Sequence, residues 1–244
     1  MNKLSSYAAA IFAVASGAGA NIGGVGVARA DTLADCTQRA DPGKAITACG
    51  TLITESKQDK AKLAVAYTNL GAAQKAKGDL KGALTNLGWA LVYDQKNANL
   101  WHDRGLVRAG LGQTLRAAAD ETLAIRYDPR KADAWIARGD LYRSMGALTR
   151  AVSDASEALK LDPKSAPALA NRGYAYLRMG QLDKARTDAE EAIKNDAKSA
   201  RGYLTRGLAQ EKADKTKAVG DVKKALELDP KDTIAQEALK RLGG

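Results

Sequence analysis

Residues 132–165 read ADAWIARGDLYRSMGALTRAVSDASEALKLDPKS, and most of the chain is this stretch written again. Its first residue, Ala132, recurs at steps of 34 as Ala64, Ala98, Ala166 and Ala200, and its eighth as Gly71, Gly105, Gly139, Gly173 and Gly207. A fixed period of this length marks a helical unit that cannot bury its apolar face alone and hides it by stacking on its neighbours. The expectation is therefore a solenoid, with units at 64–97, 98–131, 132–165, 166–199 and 200–232.

The other recurring positions say what each unit is. The fourth is large or aromatic (Tyr67, Trp101, Trp135, Leu169, Tyr203), and alanine fills the twentieth (Ala83, Ala117, Ala151, Ala185) and twenty-seventh (Ala90, Ala124, Ala158, Ala192). Units end in Asp-Pro at Asp128-Pro129 and Asp162-Pro163; Asp229-Pro230 comes one residue early, which moves the last two alanines to Ala218 and Ala225. Small residues let two helix backbones approach, and proline ends a helix and pushes the residue before it out of the α region. With Tyr142 and Tyr176 at the eleventh position, this pattern resembles the tetratricopeptide repeat. The resemblance implies an all-α, right-handed superhelix of antiparallel helix hairpins.

One departure stands out. The seventh position, a leucine in the family pattern, is Arg104, Arg138, Arg172 and Arg206, and the twenty-third is Asp120, Asp154, Asp188 and Asp221. Three of these pairs are centred on Gly112, Gly146 and Gly180, where the turn between the two helices is expected. Residues equidistant from a turn face each other across a hairpin, so each Arg should meet its own Asp as a structural ion pair. The unit with Leu70 has Asn86, so both partners change together. A ladder of ligand-binding cations is the alternative reading.

Outside the repeats, residues 1–30 read as a signal peptide: Lys3, an apolar stretch from Ala8, and an Ala28-Arg29-Ala30 cleavage site, with a cut after Ala20 as the alternative. Retention of this segment as an anchor is disfavoured by Ser16, Asn21 and its glycines, and no later stretch is apolar enough to span a bilayer. Residues 31–63 form an irregular first hairpin, with Asp41-Pro42-Gly43 as its turn and a polar linker over 54–62. Cys36 and Cys49 are equidistant from that turn, and in an exported chain they predict a disulfide. Residues 233–244 give a closing helix with Thr233 as N-cap and Ile234, Ala238, Leu239 and Leu242 on its apolar side.

The chain offers little chemistry. His102 is the only histidine, and there is no nucleophile elbow, phosphate loop or histidine cluster for a metal, so no enzyme, cofactor or metal site is expected. The formal charge of +10 is spread thinly over the units and interleaved with acids, which argues for solvated faces rather than a nucleic-acid footprint.

What remains is a surface. The family resemblance implies a concave groove lined by the first helices, which here would contain His102, Leu106, Ile136, Asp140, Arg143, Tyr174, Leu177, Leu204 and Leu208. The family's carboxylate clamp, Lys at five and Asn at nine, is absent: those positions are His102/Leu106, Ile136/Asp140, Ala170/Tyr174 and Leu204/Leu208, after Thr68/Ala72. The expectation is a protein- or peptide-binding scaffold of the periplasm or secreted space. Self-association in an envelope assembly is the second reading, and electrostatic binding to an anionic polymer a third.

Overall fold

The computed structural model describes residues 27–56 and 59–243. These form helices and no strand. The leader expected over 1–30 lies outside the described residues, except that the backbone of 27–30 opens the first helix. The N-terminal hairpin is α1 (Val27–Thr37) and α2 (Pro42–Glu55). Five hairpins follow: α3 (Lys60–Ala76) with α4 (Leu80–Tyr93), α5 (Ala98–Gly110) with α6 (Thr114–Tyr127), α7 (Ala132–Ser144) with α8 (Leu148–Leu161), α9 (Ala166–Arg178) with α10 (Leu182–Asn195), and α11 (Ala200–Gln210) with α12 (Lys215–Leu228). Helix α13 (Thr233–Leu242) closes the array. No helix among the described residues is long and apolar enough to cross a membrane.

Each hairpin closes over small residues. A Cβ placed on Gly173 would lie 3.2 Å from the Ala185 carbonyl oxygen, and one on Gly207 3.1 Å from that of Ala218, so the eighth position is glycine because a backbone already occupies the space. The alanines at twenty and twenty-seven are buried throughout the five units. Four hairpins turn on a glycine with positive φ, Gly78, Gly112, Gly146 and Gly180, a conformation that other residues adopt only at a cost. The fifth turn, after α11, has no such glycine, which accounts for the residue missing from the last unit.

The end of each unit is built on aspartate more than on proline. Asp128, Asp162, Asp196 and Asp229 each accept the N–H of the residue two further on, at 2.9–3.2 Å, and Asp196 does so with Ala197 in place of proline. Trp101 and Trp135 occupy equivalent places: each donates its indole N–H to the carbonyl six residues upstream, Gln95 at 2.7 Å and Pro129 at 2.9 Å. Below each indole lies the Arg three residues on, Arg104 at 4.6 Å and Arg138 at 4.9 Å from the ring centroid.

Those arginines make two-pronged bonds across the hairpin. Arg104 donates from Nε and Nη2 to Asp120 at 2.9 and 2.8 Å, Arg138 to Asp154 at 2.8 and 2.9 Å, Arg172 to Asp188 at 2.8 and 2.8 Å, and Arg206 to Asp221 at 2.8 and 2.7 Å. The aspartates are only 1–8% exposed, so the pairs belong to the core. The hydrogen bonds to Asp154, Asp188 and Asp221 hold the Arg138, Arg172 and Arg206 guanidiniums above their ordinary value, against the opposing effect of burial. Arg138 and Arg172 also reach back to the preceding unit, to Thr122 Oγ1 at 3.2 Å and Ser156 Oγ at 3.4 Å. One side chain thus fastens its own hairpin to the one before it.

At the N-terminus, Cys36 and Cys49 form a disulfide with Cα atoms 4.7 Å apart. Three local expectations need correction. Pro42 and Gly43 are in the first turn of α2 rather than between helices, because Asp41 caps it by accepting the Lys44 N–H at 3.0 Å. The linker shrinks to the residues between Glu55 and Lys60, because Asp59 caps α3. Asp232, not Thr233, caps α13, accepting two N–H groups, and this turns Ala235 inward and leaves Ile234 exposed.

Asp154→Ala, which strands a half-buried guanidinium, should destabilise by about 3 kcal/mol or more. Arg138→Leu with Asp154→Asn, the combination of the first regular unit, should cost far less; equal losses in urea titrations would show that the pair is not coupled. Cys36→Ser with Cys49→Ser, opening a loop of about 14 residues, should lower stability by about 3 kcal/mol, again by urea titration.

Candidate groove on the concave face

Successive first helices touch one another, α5 to α7, α7 to α9 and α9 to α11. They form the inner wall, and on it opens a groove of 570 Å³ lined by His102, Leu106, Ile136, Asp140, Ala170 and Arg201 among others. Its floor is aliphatic: Leu106 is exposed and Ile136 half-buried. Its rim is charged, with Asp133 and Asp196 facing solvent on either side.

Of the nine residues expected to line one continuous stripe, eight separate into two groups and Arg143 stands between them. His102, Leu106, Ile136 and Asp140 surround the opening. Tyr174 and Leu204 are 3% and 1% exposed and belong to the core cluster that includes Val222 and Leu242, with Leu177 and Leu208 packed against it. These four turn inward because they pack against α12 and α13; a polar bridge also spans α9. Arg201 of α11 donates to Asp140 of α7 at 2.8 Å and to Asn171 of α9. Arg143 donates to the same Asp140 oxygen at 2.8 Å and stacks 5.3 Å from the Tyr174 ring. Burial pushes the Asp140 carboxyl up, but Arg201 and Arg143 outweigh it and hold it below the usual carboxylate range. The bridge bounds this opening, which is lined by α5, α7 and the start of α9 and α11; another opening, of 410 Å³, lies between the N-terminal hairpin and α3, with Gln38, Arg39, Asn69, Ala72 and Ala76 among its lining.

Sequence reasoning missed Glu121. It is 0% exposed at the twenty-fourth position of its unit, where the other units carry Leu87, Ala155, Ala189 and Val222. Its Oε2 meets His102 Nδ1 at 2.9 Å. Its Oε1 has no hydrogen-bond partner among the described residues and lies over Gly105, 2.5 Å from where a Cβ would stand. Burial raises the Glu121 carboxyl above its usual range, with Asp120 adding to the rise, while His102 and Lys131 oppose it. The signal was present as a lone acid in an apolar column of the repeat. Arg201 had no comparable signal, since its bond to Asp140 of α7 spans two units.

The first regular unit shows what apolar residues would do in place of this pair. There Thr68 and Leu87 hold the same two positions, and Leu87 Cγ sits 3.0 Å from a Cβ built on Gly71, where Glu121 stands over Gly105. His102→Thr with Glu121→Leu should therefore fold and gain about 1–4 kcal/mol. A raised carboxyl contributes stability in full below its unfolded value and loses it as pH rises through the folded one. The advantage of the double variant should accordingly grow in thermal melts as pH rises above the ordinary glutamate range of about 4. A constant difference would show that Glu121 is not held protonated by burial.

Two tetratricopeptide repeat family models match, over residues 102–166 and 155–187. No curated protein matches the sequence. Among solved structures, the MamA protein is 27% identical, with 70% of this chain and 94% of that one covered and a TM-score of 0.60. YrrB, described as a TPR protein with an unusual peptide-binding site, is 22% identical over 80% of this chain and 99% of that one, TM-score 0.61. A tetratricopeptide repeat protein from Parabacteroides merdae is 21% identical over 88% and 97%, TM-score 0.62. The 34-residue period, the stacked hairpins and these matches agree, and the chain is a tetratricopeptide repeat protein.

Proposed function

We propose that this protein is a non-catalytic scaffold of the periplasm or secreted space that holds a segment of a protein partner in the groove between α5, α7 and α9. The tetratricopeptide fold is in general a protein-interaction scaffold. The observation that carries the specific reading is the groove itself: an opening of 570 Å³ with an aliphatic floor and a charged rim, on the side of the solenoid where the first helices converge. The Arg201 bridge crosses the wall beside it, so the groove is a bounded opening rather than one long stripe.

Two features support the compartment. The Cys36–Cys49 disulfide suits an oxidising environment, and residues 1–30 have the charge, apolar stretch and small-residue end of an export signal. A basic excess distributed over all faces supports neither nucleic acid nor a stable membrane contact as the main partner.

Ile136→Lys with Leu106→Glu places two charges on the groove floor without touching the alanine seams. Pull-down from the native envelope fraction by the intact chain should lose its partner with this variant, while circular dichroism stays the same. Equal recovery would remove the groove from the account, and recovery only of the chain itself would establish self-association instead.

A further inference from the structure

The His102–Glu121 pair has no structural necessity. The same two positions are served by Thr68 and Leu87 in the preceding unit and by Ile136 and Ala155 in the following one, within hairpins of the same geometry. Burying a polar pair with an unpartnered oxygen costs stability that an apolar pair would not. Yet the pair stands in the one unit that contributes both His102 and Leu106 to the open groove.

Its proton count decides what it presents there. Glu121 is 0% exposed and the His102 side chain only 13%, so the pair is most stable with no net charge. Two arrangements meet that condition: a carboxylate beside an imidazolium, or a carboxylic acid donating to Nδ1 of a neutral imidazole. Nε2 carries a proton in both. Among the described residues Nε2 has no hydrogen-bond partner, while Nδ1 is taken by Glu121. Glu121 thus fixes the ring and keeps its outer nitrogen a donor.

We propose that His102 Nε2–H is a built hydrogen-bond donor of the groove, which recognises a backbone carbonyl of an extended partner segment whose neighbouring aliphatic side chain rests on Leu106 and Ile136. This deepens the groove reading and rests on it. The acceptor is a neutral carbonyl rather than a carboxylate because Asp133, Asp140 and Asp196 line the opening, and the nearby cation, Arg201, is already bonded to Asp140 and Asn171. Leu106 lies one helical turn beyond His102, on the same face of α5, so donor and apolar floor meet the ligand together.

The test uses the full chain with its disulfide formed and a random 12-residue peptide library displayed on phage. Enriched sequences, made as synthetic peptides, serve as probes for the native chain, Ile136→Lys, and His102→Thr with Glu121→Leu. The expected result is binding that is lost in Ile136→Lys and weakened about tenfold or more in the double variant, with free-acid and amidated peptides bound alike. Nitrogen-15 spectra of the native chain should show a proton on Nε2 whose signal shifts on peptide saturation. No enrichment, or peptides that ignore Ile136→Lys, would overturn the groove itself. Peptides lost in Ile136→Lys but held at full affinity by the double variant, an unprotonated Nε2, or a strong preference for the free carboxylate would each overturn the donor assignment alone.

Discussion

The close approach of two backbones at the glycine in the eighth position, at Gly71, Gly139, Gly173 and Gly207, is the constraint from which the rest follows. With the Ala185 carbonyl oxygen 3.2 Å from where a Gly173 side chain would begin, the two helices of that hairpin have no room for a core between them. A hairpin closed this tightly buries alanine and little else, which is too small an apolar area to stand alone. It must lend its larger residues, Trp101, Trp135 and Tyr203, to the gap between hairpins. Stacking is therefore enforced by small residues inside the unit, and the curved inner wall is what stacking leaves over.

The arginine at the seventh position modifies that scheme. A leucine there would add to the core without preference for register, whereas the guanidinium fork fits one carboxylate and one place on it. Its aromatic neighbour covers it, Asp120, Asp154, Asp188 and Asp221 complete it, and Thr122 and Ser156 draw two of the four forks back onto the preceding unit. The last unit makes the point by exception: with the turn glycine gone, Arg206 and Asp221 are 15 residues apart instead of 16, and the fork still closes at 2.8 and 2.7 Å. The pairing is held by the facing of the two helices, not by a count of residues.

Legibility followed the same division between local and long-range geometry. Period, hairpins and the opposition of each Arg to its Asp are set within one unit, so spacing about a turn is enough to read them. Cap positions were less legible because aspartate and threonine compete for the same place: at Asp232-Thr233 the carboxylate captures two N–H groups and shifts the helix face by one residue, exchanging Ile234 for Ala235. The groove was legible only in part. Tyr174 and Leu204 are covered by Val222 of α12 and Ala235, Ala238 and Leu242 of α13, and Arg201 meets Asp140 across 61 residues; both are contacts between units, for which a repeat pattern carries no phase. Glu121 was readable in principle, as an acid in a column of Leu87, Ala155, Ala189 and Val222.

A solenoid tolerates such an exception because its stability is close to a sum over units and their nearest interfaces. An orphaned carboxyl in a globular core would weaken the whole cooperative unit; here its cost is confined to α5, α6 and the faces they offer to α4 and α7. The neighbouring hairpins keep their Ala124 and Ala134 contacts and their forks unaltered. The same independence explains why polar groups gather where they do. Units that close the array, with Tyr174, Leu204 and the α13 residues Ala235, Ala238 and Leu242, bury mainly apolar side chains, with Thr205 Oγ1 the exception as a buried hydroxyl without a partner among the described residues. The unit with His102 opens onto the groove, where a donor without a partner among the described residues costs little, because solvent serves it until a ligand does.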